Sequence, residues 1–241
     1  MRAVIPESQV MQARQRLPGI RPVGQADWIT VDANYADQLA EKARLVAECR
    51  DRVYGVLPAA EAPAAELLDE VLLLLRGRAE FVVQGSRVTC PDGRVVDVAV
   101  DDPPLLILSR LLQEDVCIHV KVGEAHHLVG ASLCFPASWT LAEKLGKPLV
   151  GVHGPVPEYD DNLARRVQRL FDGVQVGHPI WRANWHRYAD PDLFQPKLEA
   201  TPRPPAGPDA RFERSERQTL LRLPRTGAVV FAIHTTVAPR I

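Results

Sequence analysis

DVCIHVKV (residues 115–122) and AHHLVGASL (residues 125–133), separated by Gly123-Glu124, decide the fold class of this chain. Val116, Ile118, Val120 and Val122 alternate with Asp115, Cys117, His119 and Lys121. A period of two is the signature of a strand with one buried face. His127, Val129, Ala131 and Leu133 alternate in the same way beyond the turn near Gly123. The two segments therefore predict an antiparallel hairpin. On this reading His119 lies on the polar, solvent-facing side. His126 and His127 point to opposite faces of their strand, which suits a polar hairpin better than a shared metal site.

Further strands flank the hairpin. Upstream, Phe81 to Val100 holds short apolar runs separated by Gly85, Pro91-Asp92-Gly93 and Asp101-Asp102-Pro103, which predicts two or three strands. Downstream, KPLVGVHGPVP (147–157) reads as a strand entering a rigid loop, and Ile180 to Tyr188 as another strand. ERQTLLRLP (216–224) and GAVVFAIHTTV (227–237) form the last pair, joined at Arg225-Thr226-Gly227.

Helical patterns lie around and between these strands. Tyr35, Leu39, Val46, Cys49 and Val53 recur at helical spacing after Asp32. AELLDEVLLLLR follows Pro63, and its long apolar stretch predicts burial on more than one side. PLLILSRLL (104–112) and Trp139 to Leu145 are shorter helices, the second ending at Gly146. Asp160 is placed to cap a helix carrying Leu163, Val167, Leu170 and Phe171, with Gly173 at its end. The segment 196–210 is proline-rich and reads as a loop.

The expected fold is α+β, with a five- or six-stranded, mainly antiparallel sheet flanked by helices and an N-terminal helical layer. Residues 1–27, punctuated by Pro6, Pro18, Gly19, Pro22 and Gly24, read as an irregular arm, and residues 28–241 as a single domain. Regular βαβ alternation is missing, which argues against a parallel doubly wound sheet.

Composition narrows the function classes. A net charge of −1 gives no electrostatic reason to expect nucleic acid or an anionic membrane as partner. No run approaches the roughly 18 apolar residues of a membrane span, and MRAVIPESQVMQARQRLPG lacks the apolar core of a secretory signal. Cys49, Cys90, Cys117 and Cys134 form no CxxC pair or zinc spacing, so ordinary buried thiols of a reduced, cytoplasmic protein are expected. GxSxG, P-loop, HExxH and GxGxxG patterns are absent.

Three places could carry chemistry. His153 precedes Gly154-Pro155-Val156-Pro157, and the two prolines fix their own φ and restrict the residues before them. Its imidazole would leave a stiff support, as a metal or haem ligand requires, or would simply hydrogen-bond the loop. WRANWHRY places Arg182 and Asn184 on one strand face and Trp181 and Trp185 on the other. Arg182 and Asn184 could bind a carboxylate, while two tryptophans could simply pack a core. In ERQTLLRLP, Arg217, Thr219 and Leu221 share a face opposite Glu216 and Gln218. Arg217 could likewise bind a carboxylate or form a surface ion pair with Glu216.

Four stretches, ADWITVDANYADQLAEKARL (26–45), LVGASLCFPASWTLAEKLGKPLVGVHGPVP (128–157), WRANW (181–185) and SERQTLLRLPRTGAVVFAIHT (215–235), together resemble the haem-dependent oxidative N-demethylase alpha-subunit family. The FPxxW, HxPVP, RxNW and ERQTLxRLPxTG patterns are specific in combination. The resemblance implies a PAS-like haem-binding domain and oxidative removal of a methyl group from a small methylated amine, with oxygen consumed and formaldehyde released. It implies haem b, with His153 as iron ligand, Arg182 and Arg217 as cofactor-binding candidates of which at least one lies beside the haem, and Asn184 facing substrate or oxygen. Electrons would come from NAD(P)H through flavin and iron–sulfur partner subunits. Members of that family are expected to continue with a further C-terminal segment past the stretch that AIHTTVAPRI matches. The competing readings are a non-catalytic haem or small-ligand sensor and a structural subunit without haem.

Overall fold

The hairpin supplies the fifth and sixth strands of a seven-stranded sheet in the computed structural model, which describes residues 4–15, 19–153, 161–201, 206–207 and 209–240, with only the backbone of His153 and Asp161. The chain runs α1 (Glu7–Ala13), β1 (Arg21–Pro22), α2 (Tyr35–Val53), β2 (Tyr54–Val56), a 3-10 turn (Pro58–Ala60) and α3 (Glu61–Arg76). It continues through β3 (Val82–Gln84), β4 (Arg87–Thr89), β5 (Val95–Asp97), α4 (Pro104–Leu111), β6 (Asp115–Val122) and β7 (Ala125–Ser132). Then come α5 (Leu141–Lys144), α6 (Leu149–His153), α7 (Asp161–Gly173), β8 (Ile180–Tyr188), β9 (Phe212–Arg222) and β10 (Val229–Pro239).

The large sheet has the order β1-β8-β9-β10-β6-β7-β2, and β3, β4 and β5 form a separate three-stranded sheet. All the strand pairings are antiparallel. The fold is α+β, as expected. The large sheet exceeds the expected five or six strands because two- and three-residue pieces, β1 and β2, pair at its edges. Such short runs carry too few residues to show alternation.

Register divides the sheet into two faces. Val230 and Ala232 stand opposite Ile118 and Val116, and all four join the core beneath α2, α3 and α4 with Leu39, Leu67, Val71, Leu75, Leu105 and Leu108. This is the first face. Each fully buried aliphatic side chain there contributes roughly 1.5–3 kcal/mol. Leu68, Leu72 and Leu74 of α3 also pack against this core, which accounts for the wide apolar stretch in the sequence. On the second face, Cys117, Leu128, Ala131 and Ile233 meet Leu133 and Leu141, with Phe231 packed against them. Leu220 and Val229 meet Leu149, Phe171 and Val174 beside them.

Three expectations are corrected. Residues 149–153 are helical, because a short apolar run does not by its period distinguish a strand from a buried helical turn. The N-terminal arm contains α1, whose Gln12 Oε1 accepts the Ala183 N–H at 3.0 Å and whose Gln9 Oε1 accepts Ser215 Oγ–H at 2.8 Å. His119 is buried, not solvent-facing, because β6 is a central strand covered on both faces, and its ring meets Phe171 edge-on at 5.1 Å. His126 is buried on the same side, while His127 is half-buried with Nδ1 3.1 Å from the Gly146 carbonyl.

Polar anchors complete the frame. Glu66 of α3 accepts the backbone N–H groups of Arg225 and Thr226 at 2.5 and 2.8 Å, tying the β9–β10 turn to the helical layer. Lys42 of α2 pairs with Asp115 at 3.0 Å, both wholly buried, and donates to the Glu114 carbonyl at 2.6 Å. The four cysteines are free. Burial pushes the Cys134 thiol up to about 12 and raises Cys117 as well, so neither offers a thiolate. Among the described residues no helix is long and apolar enough to cross a membrane.

Candidate functional site

β8 and β9 carry most of the candidate residues. Arg182 stands opposite Gln218, Asn184 opposite Glu216, and His186 opposite Arg214. Directly opposed residues share a face, and Phe231 opposite Leu220 fixes that face as the second one. The alternation within each strand was legible in the sequence, but the pairing that brings the two rows together was not.

Glu216 is the hub of this array. Its Oε2 accepts Asn184 Nδ2–H at 2.8 Å and Gln218 Nε2–H at 3.1 Å, and its Oε1 accepts from Arg214 Nη2 at 3.3 Å. The Glu216 backbone N–H donates to Asn184 Oδ1 at 2.9 Å. Asn184 is thus held at both ends of its amide, leaving one N–H and one lone pair for anything else. Gln218 passes the chain on, its Oε1 accepting from Arg182 Nη1 at 3.4 Å. Glu216 is buried, and a carboxylate in that position needs several donors.

Arg182 differs from an ordinary structural arginine. Its guanidinium carries five donors, and among the described residues it makes only that one long hydrogen bond, to a neutral amide. Burial lowers its pKa, and Glu216 opposes the shift. His186 is also held below its usual value by burial, against Glu216 and with help from Arg182 and Arg214, although solvent reaches it. These side chains form one connected polar row on the second face.

Arg217 is on the other face. It stands opposite Ala183 and His234. Its guanidinium donates to the Asp27 carbonyl at 2.8 Å, the Trp28 carbonyl at 3.3 Å and Thr30 Oγ1 at 3.2 Å, and lies 5.4 Å over the Trp181 ring. It lines a cleft of about 460 Å³ with Arg78, Asp27 and Thr30. Arg78 there is similarly engaged, donating to the carbonyls of Ala26 and Ile29 and pairing with Glu80. Both arginines are spent on the 26–30 segment, so the size of this cleft does not make it the better candidate. The sheet separates Arg217 from Arg182 and Asn184, and the three cannot serve one small group together. The expected Glu216–Arg217 ion pair is replaced by Glu216–Arg214, because only the latter two share a face.

His153 ends α6, on the side of the sheet where Leu149 and Val152 pack against the second-face clusters. Its side chain lies outside the described residues, as do Pro155, Pro157 and Asp160. His234 is buried on the first face, its Nε2 3.5 Å from Asp32 Oδ2. Among the described residues no group of three or more His, Cys, Asp or Glu could hold a metal ion.

One loop borders the second-face array. Phe135 donates its N–H to Asp115 Oδ2 at 2.6 Å and accepts from Arg214 Nη2 at 2.6 Å. Its ring lies 5.4 Å from Lys42 Nζ. Ser138 takes a left-handed φ of 64°, costly for a non-glycine residue. Trp139 then packs against the apolar cluster that also receives Phe231 and Val152. The model of the family described as haem-dependent oxidative N-demethylase, alpha subunit-like, matches residues 19–240.

The chain belongs to that family.

In this alpha-subunit-like protein the FPxxW and RxNW stretches and the Glu216 end of ERQTL border or line the second face. Arg217 and the turn bound by Glu66 serve the helical layer instead. Sequence reasoning missed Glu216, Gln218, Arg214 and His186 as members of the site. The available signal was the period-two row Arg214, Glu216, Gln218, whose neighbours only strand pairing reveals.

Proposed function

We propose that this chain is the haem-binding subunit of an oxidative N-demethylase acting on a small methylated amine. Residues 28–241 would serve as one PAS-like, cytoplasmic haem-binding domain. Family membership over residues 19–240 carries this reading. The fit of the residues to the cofactor rests on Arg182, a cation withdrawn from water with unused donors and no carboxylate bonded to it among the described residues. A haem propionate would supply that carboxylate in the bidentate geometry a guanidinium favours.

Haem b, when bound, would supply the oxidising chemistry: dioxygen, with two electrons from NAD(P)H through flavin and iron–sulfur partner subunits and two protons, would oxidise the methyl group, which leaves as formaldehyde while the second oxygen atom leaves as water. His153 would hold the iron. Arg182, rather than Arg217, would hold a propionate. Asn184, fixed by Glu216, would present its remaining N–H or lone pair to the amine or to oxygen. The protein should be expressed with adequate iron and haem precursor and assayed by its Soret band and a pyridine haemochrome. A b-type spectrum is expected. A colourless protein that also fails to take up added haemin overturns the proposal.

A further inference from the structure

We propose that Arg214 is a positioning residue for the second-face polar array: one guanidinium holds both the Phe135–Trp139 loop that borders the array and the Glu216 carboxylate at its centre. Arg214 is among the largest fully buried side chains of the protein. It donates to the Leu193 carbonyl at 3.0 Å, the Phe135 carbonyl at 2.6 Å and Glu216 Oε1 at 3.3 Å, and its guanidinium stands 5.6 Å from the Tyr188 ring. Three separate segments therefore meet on one cation. Burying an arginine is costly unless its donors are met; Nη1 and Nη2 are met by these partners, while the buried Nε has none among the described residues.

The geometry explains why Arg214 acts at a distance. With Oε1 of Glu216 taken by Arg214, Oε2 is the oxygen left for Asn184 and Gln218. Gln218 in turn presents Oε1 to Arg182. The orientation of Asn184 and the placement of Arg182 both follow from where Arg214 pins the carboxylate. On the other side, Phe135 is clamped between Arg214 and Asp115, the latter paired with Lys42. The bordering loop and the Glu216 centre of the array thus share one anchor. This inference bears on the haem reading but does not require it, since every contact is within the chain.

The test uses the haem-free protein labelled with nitrogen-15. Side-chain amide resonances of Asn184 and Gln218 report the array, and the His186 ring titration reports the charge beside it, since Arg214 and Glu216 act on that imidazole in opposite directions. Arg214→Met should displace both amide resonances and move the His186 titration to higher pH. Arg214→Lys should restore the His186 titration and only part of the amide shifts, because lysine keeps the charge but lacks the fork. If Arg214→Met does not fold, Arg214→Met/Glu216→Gln, which leaves no buried charge unpaired, is compared with Glu216→Gln. The amides should then be no further displaced in the double variant than in the single one. In folded protein, unmoved Asn184 and Gln218 resonances in Arg214→Met, or additive displacement in the double variant, overturn the inference. Haemin titration separates the two proposals. Arg214→Met should weaken haemin about tenfold, as expected for loss of a charge-assisted contact. A parent chain that binds no haemin while its amides respond as described overturns the haem reading and leaves this one standing.

Discussion

The two faces of the large sheet use the same residue type in opposite ways. On the first face, Arg217 spends its donors on Asp27, Trp28 and Thr30 and stacks on Trp181. On the second, Arg182 makes one 3.4 Å contact among the described residues while sharing the array with Glu216, Asn184 and Gln218. Burial lowers the pKa of both. What separates them is whether the cost of burial is met by the chain itself. The first arginine fastens the N-terminal segment, and the second keeps donors unused among the described residues.

The largest expected effect tests the second face directly. His153→Ala should abolish the haem spectrum or shift it, whereas His126→Ala and His127→Ala should leave it unchanged. A normal Soret band in His153→Ala would move the iron ligand elsewhere. His119 would follow, since it also stands on the second face, and then His234.

The next effect belongs to the frame. Lys42→Met leaves Asp115 buried without its cation, and breaking one side of such a pair costs about 3–5 kcal/mol. Thermal and urea unfolding should register that loss. A variant as stable as the parent would mean that the 3.0 Å pair between α2 and β6 contributes little.

The comparison of the two arginines can be broken outright. Arg182→Ala should weaken haemin retention roughly ten- to a hundredfold, the equivalent of losing a charge-assisted hydrogen bond, and Arg182→Lys should recover part of it. Arg217→Ala should leave haemin affinity within about twofold but lower stability by about 1–3 kcal/mol, since several hydrogen bonds to the 27–30 segment go with it. The reverse outcome, with haemin lost in Arg217→Ala and kept in Arg182→Ala, would place the cofactor on the first face.

Much of the frame was legible because alternation is a local property. Ile180–Tyr188 has the same bounds in sequence and structure, and the 115–133 hairpin and three short strands between 82 and 97 appear where expected. The failures are non-local. His119 looked exposed because its strand neighbours are polar, yet whether a strand is central depends on segments such as β10, far along the chain. Arg182 and Arg217 looked like equal candidates because each strand could be phased alone, while their relative phase is set by the register Ala183 opposite Arg217. Glu216 could not be identified as a hub until Asn184 and Arg214 were placed on its face.

The smallest expected effect is a pH dependence that again separates the faces. His234 is wholly enclosed on the first face, and burial lowers its pKa against the pull of Glu114 and Asp32. A histidine depressed in the folded state is neutral there while the unfolded chain takes up its proton. Its contribution to stability is present above the unfolded value and is lost as pH falls from there toward the folded one. The slope from one such group is at most about 1.4 kcal/mol per pH unit. Between about pH 7 and pH 5, His234→Gln should therefore lose stability less steeply than the parent chain in denaturant titrations. His186→Gln should change the slope less, because solvent reaches that imidazole on the second face and screens its surroundings. Equal slopes in the parent and His234→Gln would show that the first face accommodates the charged imidazole, with Asp32, 3.5 Å away, as its partner. The contrast would then rest on the arginines alone.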